Sequence, residues 1–337
     1  MPVATIRVAQ WTRRVTGQEQ HLANLSTSCS TLGYAMAGAT IAAAHAAEGW
    51  VGRGDEQGAE LAAATAMREA LNAIAFAGRV VVGEVDIPVL NVGEDVGSGK
   101  GLELDIALEA LEGTTLTAKA MPNALAVIAA APRGGLLQAP DLYMEKLAIG
   151  PGYEPGVVDL DADAGENAIR LAKAKGVDVR EITACVLDRP RHEKIIADLR
   201  KAGARINLIP DGDVAGVINT AMPETGIDMY VGQGKAPEGV LAAAALRCVG
   251  GQMQARFVFR SEAEKFQAQR TGLKDPGRRY ALDDLVSGDV IFAATGVTKG
   301  TLLDGAVRRR GAIETHTMLV SSADGVVRTI RSVTPVR

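Results

Sequence analysis

The chain has 337 residues, 47% of them apolar and 4% aromatic, with 38 glycines and a formal charge of −4. A chain of this length can bury a core without disulfides and suits one large domain or two closely packed ones. The balance of 36 basic against 40 acidic residues excludes nucleic-acid binding through a broad basic face, and the apolar content excludes disorder. Cys29, Cys185 and Cys248 are odd in number and widely spaced, the pattern of reduced thiols in a cytoplasmic protein. His21, His45, His192 and His316 show no metal-ligand spacing.

In chain order, the first feature is an uncharged stretch from Leu22 to Ala47 behind Arg13-Arg14. An export signal or membrane span could occupy such a stretch. Asn24, Ser26, Thr27, Ser28, Ser30 and Thr31 interrupt its first half, however, and Ala and Gly fill the second. A span needs about 20 strongly apolar residues, so the expectation is a small-residue helix packed on a core, with no membrane contact. Helix formers then run from Glu56 to Ala75, with Gly78 as a stop signal. Strands are expected at Arg79–Gly83, Leu102–Leu108 and Ala124–Ala130. Asp163 and Glu166 open a helix that Gly176 ends. Strand and helix then alternate: Ile182–Leu187, Arg191–Ala202, Arg205–Ile209, Val214–Ala221, Ile227–Val231, Ala236–Cys248 and Gln254–Phe259. A charged excursion at Ser261–Asp284 precedes strands near Val290–Ala293, His316–Val320 and Val326–Ile330. This alternation predicts an α/β protein with helices covering its sheets. Residues 1–50 form an N-terminal helical segment, 51–152 one α/β half, and 153–337 another whose last strands return to the core. The turn Ile149–Tyr153 marks the boundary.

Acidic residues recur where the expected strands end. Glu84 follows one strand, Glu109 and Glu112 follow the next, Glu60 sits on the first good helix, and Glu238 begins a later one. Ligands of α/β sheets collect beyond the carboxyl ends of strands. Converging carboxylates repel one another unless a cation neutralises them, and hard ions such as Mg²⁺ or Mn²⁺ take oxygen ligands. Ordinary surface acids are the alternative reading.

Eight runs then appear in order: GWVGRGDE (49–56), LEGTT (111–115), MPNALAV (121–127), APDLYMEKLAIGPG (139–152), DRPRH (188–192), PDGDVAG (210–216), APEGVLAAAALRC (236–248) and DVIFAATGVTKG (289–300). Together they resemble the class II fructose-1,6-bisphosphatases, lithium-sensitive, metal-dependent sugar phosphatases. The resemblance implies a layered α/β sandwich of the inositol-monophosphatase-like type. It implies hydrolysis of the 1-phosphate of fructose 1,6-bisphosphate, in gluconeogenesis or Calvin-type carbon metabolism. It makes Glu60, Glu84, Glu109, Glu112 and Glu238 the ligands of Mn²⁺ or Mg²⁺, and 51–152 the metal-site half. Substrate contacts fall to Glu112, Gly113 and Thr114, to Tyr143, to Arg189, Pro190 and Arg191, and to Asp211, Gly212 and Asp213; Lys235, which the resemblance does not supply, is a further candidate that could replace one metal's charge or bind phosphate as a point charge. Thr114, beside Glu112, orients the attacking water. A homodimer or homotetramer is expected, with the small-residue stretches Thr40–Ala47 and Leu241–Ala245 available for subunit packing.

The departures from the family pattern gather on the metal site. Asp-Pro-Ile/Leu-Glu-Gly-Thr becomes Glu109-Ala-Leu-Glu112-Gly-Thr, the helix Asp becomes Glu60, and the Gly-Glu-Gly-Glu loop with its following acids shortens to Gly83–Pro88. A glycine before Ala-Pro-Glu-Gly becomes Lys235. Beside the phosphatase reading stand two alternatives: a weak or inactive regulatory paralogue that binds sugar phosphate, with an active homologue as its partner, and a sedoheptulose-1,7-bisphosphatase.

Overall fold

The computed structural model describes residues 19–270, 273, 275 and 277–336, with the backbone alone for 19–30 and 267. Two compact units result: one is the chain through Leu136 together with the segment from Ser287 onward, the other is Leu137–Val286.

The first unit opens with α1 (Glu19–Glu48). Its small side chains are the buried ones: Met36, Ala37, Ala39, Ala43, Ala44 and Ala47 lie in the core. Thr40 Oγ1 meets Thr295 Oγ1 at 2.7 Å, which in turn meets Thr317 Oγ1 at 2.8 Å. A chain of buried hydroxyls thus satisfies itself. Among the described residues no helix is long and apolar enough to cross a membrane; Arg13-Arg14 lies outside them. Next comes α2 (Glu56–Asn72), whose N-cap Asp55 accepts the Gly58 N–H at 2.8 Å. A Cβ on Gly58 would lie 2.5 Å from both Asp55 Oδ2 and the Trp50 ring, so only glycine lets this cap close.

The sheet then forms from β1 (Phe76–Val82), β2 (Asp95–Val96), β3 (Leu102–Glu112) and β4 (Leu125–Pro132), with the short α3 (Thr114–Ala118) between the last two. Gly78, expected to stop the preceding helix, is instead paired in β1 with Leu104 and Val96. Glu109 and Glu112 correct a second expectation: they lie within β3, because its pairing with β4 continues past Leu108.

The chain builds the second unit from β5 (Tyr143–Ile149), α4 (Ala164–Lys175), β6 (Thr183–Leu187), α5 (Glu193–Ala202), β7 (Arg205–Ile209), α6 (Asp213–Asn219), β8 (Met229–Lys235), α7 (Ala236–Val249), β9 (Gln252–Val258), α8 (Glu262–Arg270), β10 (Tyr280–Ala281) and α9 (Leu282–Leu285). It returns to the first with β11 (Ile291–Gly296), β12 (Val307–Arg309), β13 (Ala312–Ser321) and β14 (Arg328–Pro335). The first sheet runs β12-β13-β11-β4-β3-β1-β2, with β14 on β13; the second runs β10-β9-β5-β8-β6-β7. Both mix parallel and antiparallel pairs.

Alternate residues place the first core. Leu104, Ile106, Leu108 and Ala110 of β3 join Ala126, Ile128 and Ala130 of β4 against α1 and α2. The second core joins Leu147 of β5, Leu171 of α4, Val186 of β6 and Leu199 of α5. The small-residue stretches lie inside their own units: Ala43, Ala44 and Ala47, and Leu241 through Leu246, are buried. Ile41, Ala42, His45 and Ala46, beside them, are half-buried.

Candidate active site

Two bulges position the acids of the first unit. Parallel β1 and β3 pair Val80 with Ile106 and then Val82 with Ala107, so β1 gains a residue just before Glu84. Antiparallel β3 and β4 pair Glu109 with Val127 and then Glu112 with Leu125, so β3 gains a residue between its two acids. In a regular strand, residues three apart face opposite sides. With one residue bulged out, Glu109 and Glu112 follow partners two apart and share a face. It is the face away from Leu104, Ile106 and Leu108.

Glu84 reaches this bulge. Its Oε1 accepts the N–H of Ala110 at 2.8 Å. Its own N–H donates to Leu90 O at 3.1 Å, while Asn91 Nδ2 donates to Glu84 O at 3.0 Å and Ile87 O at 2.8 Å, closing the short loop. A Cβ on Gly83 would stand 2.2 Å from Leu90 O, so this closure requires glycine. Gly113 adopts φ +87°, the left-handed turn that ends β3 and makes Thr114 the first residue of α3. Thr115 Oγ1 donates to Glu56 Oε2 at 2.9 Å. Glu60, one turn on, shares that face of α2.

Glu84 is 8% exposed and Glu112 3%. Like charges so buried are costly without a cation, and an all-carboxylate donor set suits a hard divalent ion. Among the described residues no three His, Cys, Asp or Glu side chains gather closely enough to hold one. The donors fit the ion in kind, and their spacing is wider than a formed site.

In the second unit the focus is Tyr143, the first residue of β5. It stands opposite Lys235 of β8 on one side and Val258 of β9 on the other. The Arg191 guanidinium lies over its ring, 5.0 Å from the centroid, and that of Arg260 at 4.8 Å. Arg191 is fixed by Nε and Nη2, which donate to Gln233 O at 3.2 and 2.9 Å. The adjacent His192 is fully buried: Gln233 N–H donates to its Nε2 at 2.8 Å, so Nδ1 carries the proton given to Leu187 O at 2.7 Å. The turn opened by Pro190 is thus stapled to both polar groups of one residue of β8. Arg189 Nη1 donates to Asp188 O at 3.1 Å. Lys235 is exposed, its Nζ 3.5 Å from Asp141 Oδ1.

Behind these lies a buried charge cluster. Lys146, 1% exposed, donates to Asp213 Oδ2 at 2.5 Å, and Tyr230 Oη reaches the same oxygen at 3.5 Å. A Cβ on Gly234 would be 2.1 Å from that oxygen, and one on Gly239 would be 3.4 Å from Lys146 Cε. The glycines make room for the pair. Glu238, in the first turn of α7, keeps a buried Oε2 with no hydrogen-bond partner. Burial first, and the charge of Asp213 second, push its carboxyl up to about 7, with Lys146 opposing. Asp211 Oδ1 accepts the N–H of Gly212, whose φ of +86° starts α6 at Asp213.

Sequence reasoning did not single out Lys146, His192, Tyr230 or Arg260. Lys146 and His192 do lie in the runs APDLYMEKLAIGPG and DRPRH, Lys146 beside Glu145 as a charged pair inside a strand.

Two mixed sheets with their helices are consistent with the class of layered α/β phosphatases. Residues 30–334 match the family described as bacterial fructose-1,6-bisphosphatase, glpX-encoded. The chain is 40% identical over 311 residues to fructose-1,6-bisphosphatase 1 class 2 of Escherichia coli K12, covering 87% of this chain and 92% of that relative. The class 2 fructose-1,6-bisphosphatases of Escherichia coli O6:H1 and Shigella flexneri show the same identity and coverage. The chain belongs to the class II fructose-1,6-bisphosphatase family, which is metal-dependent.

Proposed function

We propose that this chain hydrolyses the 1-phosphate of fructose 1,6-bisphosphate with a divalent ion, Mn²⁺ or Mg²⁺, for which the family resemblance names Glu60, Glu84, Glu109, Glu112 and Glu238 as ligands. Bound there, the ion would supply Lewis acidity and an acidified water. Thr114, the first residue of α3, would orient the attacking water. Tyr143, Arg189 and Arg191 take phosphate, where planar guanidinium groups bind bidentately. Asp211 accepts a sugar hydroxyl. Asp213 meets sugar through Oδ1, because Oδ2 already takes Lys146. Lys235 acts near Tyr143 as a point charge.

The observation that carries this reading is the bulged end of β3, which puts Glu109 and Glu112 on one face with Glu84 bonded at Ala110 between them. Two strands, β1 and β3, each carry a bulge beside these acids. A scaffold role alone gives no reason for that. Cytoplasmic action fits the buried thiols of Cys185 and Cys248, and a homodimer or homotetramer rests on the family resemblance. Phosphate release from fructose 1,6-bisphosphate, measured with Mg²⁺, with Mn²⁺ and after chelation, tests the activity. No release with either ion overturns it.

A further inference from the structure

Two guanidinium groups lie against the Tyr143 ring, one from the Pro190–His192 turn and one from just beyond β9. Arg191 comes from the β8 side, tied to Gln233, and Arg260 follows the end of β9. The two are anchored alike. Arg191 uses Nε and Nη2 on Gln233 O, and Arg260 uses Nε and Nη2 on Glu264 Oε1, both at 3.2 Å. Among the described residues no carboxylate contacts Nη1 of Arg260. Each cation lies about 5 Å from the ring centroid, so they are no more than about 10 Å apart. That is roughly a Debye length at 0.1 M salt, so they repel each other. An anion joining them would turn repulsion into binding.

We propose that Arg260 is a phosphate-binding residue of the sugar-phosphate site, closing with Arg191 over Tyr143 on the phosphate that is not cleaved. The proposal rests on the sugar-bisphosphatase reading above. Glu264 is the competing counter-ion, holding the Arg260 fork also through the Arg260 N–H, which donates to Glu264 Oε2 at 2.7 Å. A stacked, edge-anchored guanidinium is pre-oriented, which lowers the ordering cost of each phosphate hydrogen bond. Lysine cannot reproduce it. Arg260 is largely exposed, so its replacement leaves the core intact.

The test uses the full chain and fructose 6-phosphate, which keeps only the uncleaved phosphate, in calorimetry, alongside kinetics on fructose 1,6-bisphosphate. Arg260→Ala should weaken fructose 6-phosphate binding and raise KM about tenfold or more, with kcat within about twofold, as expected of a lost charged hydrogen bond. Arg260→Lys should recover only part of the loss, and Glu264→Gln should tighten binding. Unchanged affinity in Arg260→Ala overturns the proposal, as does a loss confined to kcat. A wild-type chain that binds fructose 6-phosphate through Arg260 but releases no phosphate would overturn the functional reading and leave this assignment standing.

Discussion

The Nε2 atom of His192 accepts the backbone N–H of Gln233, 41 residues away in the chain, at 2.8 Å. Protonation would set two N–H groups face to face at a fully buried ring. Burial, the largest cause, lowers the His192 pKa below 6.5, with the charges of Arg191 and Arg189 adding. Because the folded value lies below the unfolded one, the native state binds fewer protons. Its contribution to stability is therefore present above pH 6.5 and lost as pH falls. The thermal midpoint should drop more between pH 8 and pH 5.5 in the wild type than in His192→Gln. Parallel slopes would remove His192 from the account.

Lys146 and Asp213 predict a second asymmetry. Removing one member of a buried ion pair strands the other, at about 3–5 kcal/mol, whereas replacing both can be near neutral. Lys146→Met should lose about that much in urea unfolding, and the double variant Lys146→Met with Asp213→Asn should regain much of it. A single-variant loss under about 1 kcal/mol contradicts the buried pair.

Metal occupancy gives a third. Glutamate at 60 and 109 extends each arm by one methylene, about 1–1.5 Å, where ligand distances tolerate about 0.2 Å. The resting protein should hold at most one ordered ion, weakly. An anomalous-scattering map showing two fully occupied ions about 3.5–4 Å apart would rule this out.

The second unit was largely legible because its strands and helices carry local signals. Arg205–Ile209 is the expected strand to the residue, and Asp163 and Gly176 cap α4 as their chemistry requires. The first unit was harder. Gly78 reads as a stop because it lacks a side chain, yet a Cβ there would lie 2.4 Å from the Phe76 ring, so glycine serves a strand instead. Glu109 reads as a strand end because it is charged, but a bulge accepts many residue types and leaves no sequence mark. The site acids were visible by position, their shared face was not. His192 and Arg260 act across distant strands, and no local pattern announces either.

The Ala110 N–H gives the sharpest prediction. It donates to Glu84 Oε1 at 2.8 Å, so it competes with an ion for that carboxylate. The family's usual residue at this position is proline, which has no N–H to give. Ala110→Pro would release Glu84, and a bulge is one of the few strand positions where proline is tolerated. Glu60→Asp and Glu109→Asp would shorten two arms, and Lys235→Gly would clear an ammonium; Lys235 has φ −66°, so glycine is accommodated without strain. These changes act on shared groups, so the combined variant should exceed the sum of the singles. A gain of about tenfold in kcat/KM, roughly 1.4 kcal/mol of barrier, is expected. The short loop closed by Asn91 on Glu84 O and Ile87 O is the competing cause. If the quadruple variant gains nothing while a lengthened 83–88 loop does, neither ligand reach nor the Ala110 amide limits the enzyme.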